Sequence, residues 1–227
     1  MKKILTLTFA SIFTVTAFAQ SSSGKKFHFG LEATPGIYWF KPNTDNNASN
    51  GAKFGFSYGA MLEFGFTDNY SFATGIGVAS IGGKYTNAVS IANSSTSNPP
   101  GSTANVEKLQ YLQIPLTLKM KTNAIGMLKY YGQFGLGVGV NLKATDDYTY
   151  TSSVSSYTSS QNNQDVQSST NPIRLSLLVG AGVEFNPSGN TALVAGLMFD
   201  NGFLNVNKSS SSQILSKGIQ LNLGVLF

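Results

Sequence analysis

Residues 112–120 read Leu112-Gln113-Ile114-Pro115-Leu116-Thr117-Leu118-Lys119-Met120. Leu112, Ile114, Leu116, Leu118 and Met120 recur at every second position, and Gln113, Pro115, Thr117 and Lys119 fill the gaps. A helix would need apolar residues three and four apart, so this spacing predicts a strand with two chemically different faces. Pro115 has no backbone N–H to donate to a neighbouring strand, and a bulge or local irregularity is expected there.

The same period recurs seven more times, near residues 27–39, 54–66, 70–79, 128–142, 173–185, 193–200 and 219–227. One face of each is Phe, Leu, Ile, Val or Tyr. The other is mostly Gly, Ser, Ala and Gln with a few charges. Three predicted connections are short: Thr67-Asp68-Asn69, the six residues from Lys121 to Gly126, and the five from Asn186 to Asn190. The others are long polar segments near 41–52, 82–107, 144–171 and 205–217.

Composition limits what such strands can build. Of 227 residues only 11% are charged, against about 25% in ordinary soluble domains, so the surface is not a usual aqueous one. At 12% aromatic and 41% hydrophobic, the chain is not disordered either. It contains no Cys, which removes disulfides and thiolate metal sites, and one His, which removes imidazole clusters. Neither a cofactor nor a metal is expected. A net charge of +5, part of it in Lys2 and Lys3, is no nucleic-acid footprint.

Met1-Lys2-Lys3, the apolar run from Ile4 to Phe13, and the small residues Ala17 and Ala19 have the order of a secretory signal. Residues 1–19 are expected to be a signal peptide cut after Ala19, leaving 20–227 as one barrel domain. A retained anchor helix is the alternative, but its apolar core falls short of the ~20 residues a spanning helix needs. No later apolar run reaches the ~18 residues of a helical span, so any membrane entry must use strands in a closed sheet.

A soluble lipocalin-like ligand-binding barrel also alternates, with apolar residues inside. Here the second face is too poor in charge to meet water, while its glycines suit a narrow lumen. Aromatics of the apolar face gather near the short turns (Phe27, Phe29, Phe64, Phe66, Tyr70, Phe72, Tyr130, Phe185, Phe227) and near the long segments (Trp39, Phe54, Tyr85). Two aromatic belts around an aliphatic band fit the interfaces of a bilayer. The expected fold is all-β: an eight-stranded antiparallel up-and-down transmembrane β-barrel with short periplasmic turns and long extracellular loops. Its first and last strands should pair, with both termini on the periplasmic side.

By parity, Glu63, Lys119, Lys129 and Glu184 face inward close to the short-turn rim, with Glu32 and Arg174 higher up. Unpaired buried charges are costly, so Glu63–Lys119 and Lys129–Glu184 are expected to pair in a structural lumen network that plugs the barrel. His28 beside Glu32 or Ser176 offers a weak catalytic alternative, but no nucleophile at matching depth is evident. Gly75-x-Gly77 and Gly135-x-Gly137-x-Gly139 follow strand parity and lack a dinucleotide-binding pattern. No catalytic residue is assigned, and the chain is not expected to be an enzyme.

The run from Tyr111 to Lys119 resembles the strand pattern of the PorT-like outer-membrane β-barrel family common in Bacteroidetes, with Gln113 where that family usually has an acid. Gly180-Ala181-Gly182-Val183-Glu184-Phe185, Asn201-Gly202-Phe203-Leu204-Asn205-Val206 and the terminal Leu223-Gly224-Val225-Leu226-Phe227 are similar to it too. The resemblance implies residence in the outer membrane, with lipid as the main partner. It also implies that Phe227 is the C-terminal signal read by the barrel-insertion machinery. It specifies architecture rather than activity. A structural or interaction barrel displaying its loops, with a possible protein partner there, is the leading expectation. An accessory subunit of a secretion or uptake complex is the alternative, and a lipid-acting barrel enzyme ranks below both.

Overall fold

The computed structural model describes residues 27–43, 47–89, 100–188, 191–208 and 213–227. The expected signal peptide, its cleavage site and part of the Asn186–Asn190 turn lie outside the described residues. Ten strands follow in order: β1 (Phe27–Pro42), β2 (Asn47–Ser49), β3 (Ala52–Gly65), β4 (Tyr70–Val89), β5 (Gly101–Lys121), β6 (Leu128–Ser152), β7 (Thr158–Asp165), β8 (Ile173–Ser188), β9 (Thr191–Gly202) and β10 (Ile214–Leu226).

Eight of them close into a ring in the order β1-β3-β4-β5-β6-β8-β9-β10, every pair antiparallel. Ring closure runs from Gly30 opposite Leu226 to Pro42 opposite Ile214. A closed ring has no open edge, so ladder donors and acceptors are satisfied without water, as hydrocarbon demands. β2 and β7 stand outside the ring, pairing the upper parts of β4 and β6.

The apolar face of each strand points outward. Phe54, Leu197 and Leu31 are 69%, 61% and 58% exposed, and some thirty more large apolar side chains are bare around the wall. Soluble monomers rarely expose an apolar patch beyond about 600 Å², so this band belongs against acyl chains and the lipocalin-like arrangement is inverted. Phe27 and Phe64 pack with ring centroids 5.2 Å apart near the short-turn rim. Tyr85, expected in the opposite outer belt, instead points inward and is buried against Phe40, with centroids 6.1 Å apart. Its odd number on β4, where even positions face out, is the reason.

Pro115 gives the local irregularity expected there, without a bulge. Opposite Pro115 the β4–β5 ladder skips two pairings, yet Thr74–Leu116 and Gly77–Gln113 keep one register. Pro35 does the same between β1 and β10. Each proline interrupts the ladder on one side only and produces no bulge. The bulge lies higher, where Gln110 pairs Lys143 and Tyr111 pairs Asn141, leaving Leu142 as the extra residue of β6. That extra residue reverses the parity of β6 above it.

Among the described residues, the polar segments near 82–107 and 144–171 expected as loops are largely strand. β4, β5 and β6 have 20, 21 and 25 residues, whereas ~9–11 cross a bilayer. The residues of β6 beyond Leu142 rise roughly 25 Å past the apolar band at 3.3 Å per residue and barrel tilt. Thr145, Tyr148, Thr149, Tyr150 and Thr151 are good strand formers. Because both faces of this ribbon are largely polar, the apolar alternation that marks a strand in sequence is missing there.

Candidate functional site: a filled lumen and its extracellular mouth

The lumen holds three layers. Nearest the short turns, Glu63 of β3, Lys119 and Lys121 of β5 and Glu184 of β8 form a ring of alternating charge. Lys119 Nζ lies 3.1 Å from Glu63 Oε2, and Lys121 Nζ lies 2.9 Å from Glu184 Oε1. Lys119 also pairs with Glu184, and Lys121 with Glu63. Ser71 Oγ donates to Glu63 Oε1 at 2.8 Å, and the Lys119 ammonium sits 4.2 Å from the Tyr131 ring centroid. Two carboxylates and two ammoniums give a layer of zero net charge, in which each buried ion has two opposite partners.

This geometry departs from the expected pairing in one respect. Lys129 is the register partner of Glu184 but makes no ion pair among the described residues. Lys121 takes its place. Lys121 stands opposite Tyr131, so Lys129 lies two residues nearer the periplasmic rim and is half-buried there. The short turn expected to begin at Lys121 starts one residue later: β5 continues through Lys121, whose odd position turns it inward.

Above this ring a cavity of about 90 Å³ is lined by Glu32, Thr34, Gln113, Thr117, Gln220 and their neighbours. Glu32 faces it and has no ion pair among the described residues, so it joins neither charged layer. The second layer is a forked pair missed from sequence. Arg174 of β8 meets Asp200 of β9 at 2.7 and 3.0 Å, its Nε donates to Ser216 Oγ at 3.0 Å, and Gln220 donates to Asp200 at 3.2 Å. The bidentate fork is the geometry a guanidinium favours with a carboxylate. Asp200 was recognisable as inward by parity; its pairing needed the β8–β9 register.

The third layer is apolar and was not anticipated. Tyr38, Phe40, Ile81, Tyr85, Leu109, Tyr111 and Ile214 fill the extracellular half of the lumen. Tyr38 fits only because its neighbours lack side chains: a Cβ on Gly218 would stand within 2.3 Å of its ring, and one on Gly55 within 2.5 Å. His28 lies opposite Glu63 in the lowest layer, whereas Ser176 accepts from Arg174 in the middle one, so the two do not meet. Phe227 is zipped to Phe29 by backbone hydrogen bonds of 2.7 and 3.4 Å, with its ring half exposed on the outer wall.

At the top of the apolar layer and beyond the outer apolar band, Glu107 of β5 and Asp146 of β6 face each other across the ladder, one pairing below Tyr85 on the same face. Burial, then the neighbouring Asp146, pushes the Glu107 carboxyl up to about 8. Burial, then Asp147, raises Asp146 to about 6. No group of three His, Cys, Asp or Glu suited to a metal occurs among the described residues.

Sequence comparison decides the family. Residues 18–208 match the family described as outer membrane protein beta-barrel domain. The chain belongs to that family. No curated protein matches this outer-membrane barrel in sequence. Among solved structures it is similar to Neisserial surface protein A, with 16% identity, a TM-score of 0.50, and 90% of this chain and 98% of that one covered. It is also similar to Ail, the attachment invasion locus protein of Yersinia pestis, at 14% identity and a TM-score of 0.35, covering 89% and 99%. At 16% identity the likeness to the Neisserial protein concerns the fold alone. An antiparallel ring, an apolar outer band and the family match together place the barrel in the outer membrane, with lipid around its wall.

Proposed function

We propose that this barrel is a closed, side-chain-filled anchor that holds polar ribbons and loops outside the cell for structural support or contact with a partner protein, and that it does no chemistry. The observation that carries this reading is the stacking of two cross-linked charge layers under an apolar layer in one narrow lumen. An eight-stranded barrel has little interior to spare, and ions locked in mutual pairs offer no free site to a passing solute. The charge layers are structural: they join β3, β5 and β8 below and β8, β9 and β10 above. On this reading the protein is exported by a signal peptide cleaved after Ala19, Phe227 serves the insertion machinery, and the barrel is of the PorT-like type. Purified protein in planar bilayers should give no stable unitary conductance, and reproducible channels would overturn the reading. Copurification from detergent-solubilised membranes separates a solitary anchor from an accessory subunit, since a stoichiometric partner would favour the latter.

A further inference from the structure

Among the described residues, the five most deeply buried carboxylates fall into two groups that differ in how their charge is met. Glu63, Glu184 and Asp200 are buried, and each has an ammonium or guanidinium partner. Glu107 is as deeply buried, at 2% exposure, and Asp146 nearly so, yet neither forms an ion pair among the described residues. Both carboxyl oxygens of Glu107 and Oδ1 of Asp146 are shielded from solvent without a hydrogen-bond partner. Glu107 and Asp146 line a cavity of about 200 Å³ at the extracellular mouth, together with Tyr85, Val166, Ser169, Asn207 and Lys208. Lys208 does not neutralise them through a salt bridge; its ammonium donates to the Ser168 carbonyl at 2.8 Å.

We propose that this mouth is a divalent-cation site, with Ca²⁺ held between the Glu107 and Asp146 carboxylates. Three features support it. First, both acids are presented on rigid ladder positions directly opposite each other, close enough to share one ion. Second, the donor set is oxygen without His or Cys, which selects hard cations over zinc, and Asn207, Ser169 and Tyr85 can add further oxygens. Third, the cavity has a roof. Thr170 Oγ1 caps the Val166 carbonyl at 2.8 Å, and the Lys208 amide reaches the Ser169 carbonyl at 2.9 Å, tying the segment after β7 to the one after β9. A bound ion would therefore join two β-ribbon strands to the two segments that roof the site. The β6 bulge makes this possible, because without Leu142 as an extra residue Asp146 would face outward.

The test uses the full chain refolded in a zwitterionic detergent, with folding checked by heat-modifiable gel mobility. Terbium is the probe, since it occupies calcium sites and Tyr85 lies in the cavity to sensitise its emission. The expected result is saturable sensitised emission that calcium displaces, weakened at least tenfold in Glu107→Gln and again in Asp146→Asn, and unchanged in Glu32→Gln. Calcium should also slow tryptic cleavage after Lys208 several-fold in the parent and not in Glu107→Gln. The proposal fails if folded Glu107→Gln keeps the parent's emission, or if calcium does not compete. It also fails if infrared spectra show a protonated carboxyl, absent in Glu107→Gln, that persists in saturating calcium.

Discussion

Replacing Lys119 with methionine tests whether the lower charge layer holds the barrel together. Methionine keeps most of the aliphatic stem and removes the ammonium that pairs with Glu63 and Glu184 and lies 4.2 Å from the Tyr131 ring centroid. Lys119 is only 4% exposed, so water cannot replace the lost partner. Two carboxylates are then left to share Lys121. Removing one partner of a buried ion pair costs about 3–5 kcal/mol, because the other charge stays buried without compensation. At about 1.4 kcal/mol per tenfold, the folded-to-unfolded ratio should fall by roughly a hundred- to several-thousand-fold. Reversible urea unfolding in lipid vesicles, followed by the single tryptophan, Trp39, measures it. The double variant Lys119→Met with Glu184→Gln returns the layer to neutrality. It should recover about 1 kcal/mol or more relative to the sum of the single losses. A loss below about 1 kcal/mol for Lys119→Met, or strict additivity, would refute the reasoning.

The outward assignment of Leu116 and the inward one of Thr117 predict opposite sensitivities: Leu116→Arg should cost about 2–4 kcal/mol near mid-bilayer and grow milder at Leu112 and Met120, whereas Thr117→Arg should perturb the lumen whatever the lipid thickness. Urea midpoints in short- and long-chain vesicles distinguish the two. The extracellular ribbon should also respond to pH. Glu107 and Asp146 have folded values raised to about 8 and 6, so the folded ribbon keeps protons that the opened chain releases. With calcium chelated, local stability is therefore full below the ordinary carboxylate range and falls as pH rises towards 8, by at most about 1.4 kcal/mol per pH unit per proton. Amide exchange in upper β5 and β6, corrected for intrinsic rates, should show that decline in the parent and a much smaller one in Glu107→Gln; equal slopes would count against it.

The wall was legible because lipid enforces strict alternation. From Leu112 to Met120 each residue had to be apolar or not according to side, and that parity places the outer band and most inward ions. Pairing inside the lumen was less legible, since which charges meet depends on register between strands distant in sequence, as for Arg174 and Asp200. Lys121 is hard to place from sequence because its turn-like followers, Thr122 and Asn123, suggest an earlier strand end. Above the bilayer the signal failed for two physical reasons. Ladder hydrogen bonds extend β4, β5 and β6 with no continuous apolar face to mark them, and one extra residue at Leu142 reversed the parity that would have paired Asp146 with Glu107. The inward aromatics Tyr38 and Tyr85 needed knowledge of where glycines leave room.

The outward orientation of the apolar face supports every other conclusion, and site-directed spin labelling along residues 112–120 measures it position by position. In vesicles, labels at 112, 114, 116, 118 and 120 should be accessible to dissolved oxygen, most strongly near 116, while labels at 113, 117 and 119 should be shielded from oxygen. An accessibility pattern without a two-residue period, or one with its maxima at 113, 117 and 119, would contradict the account.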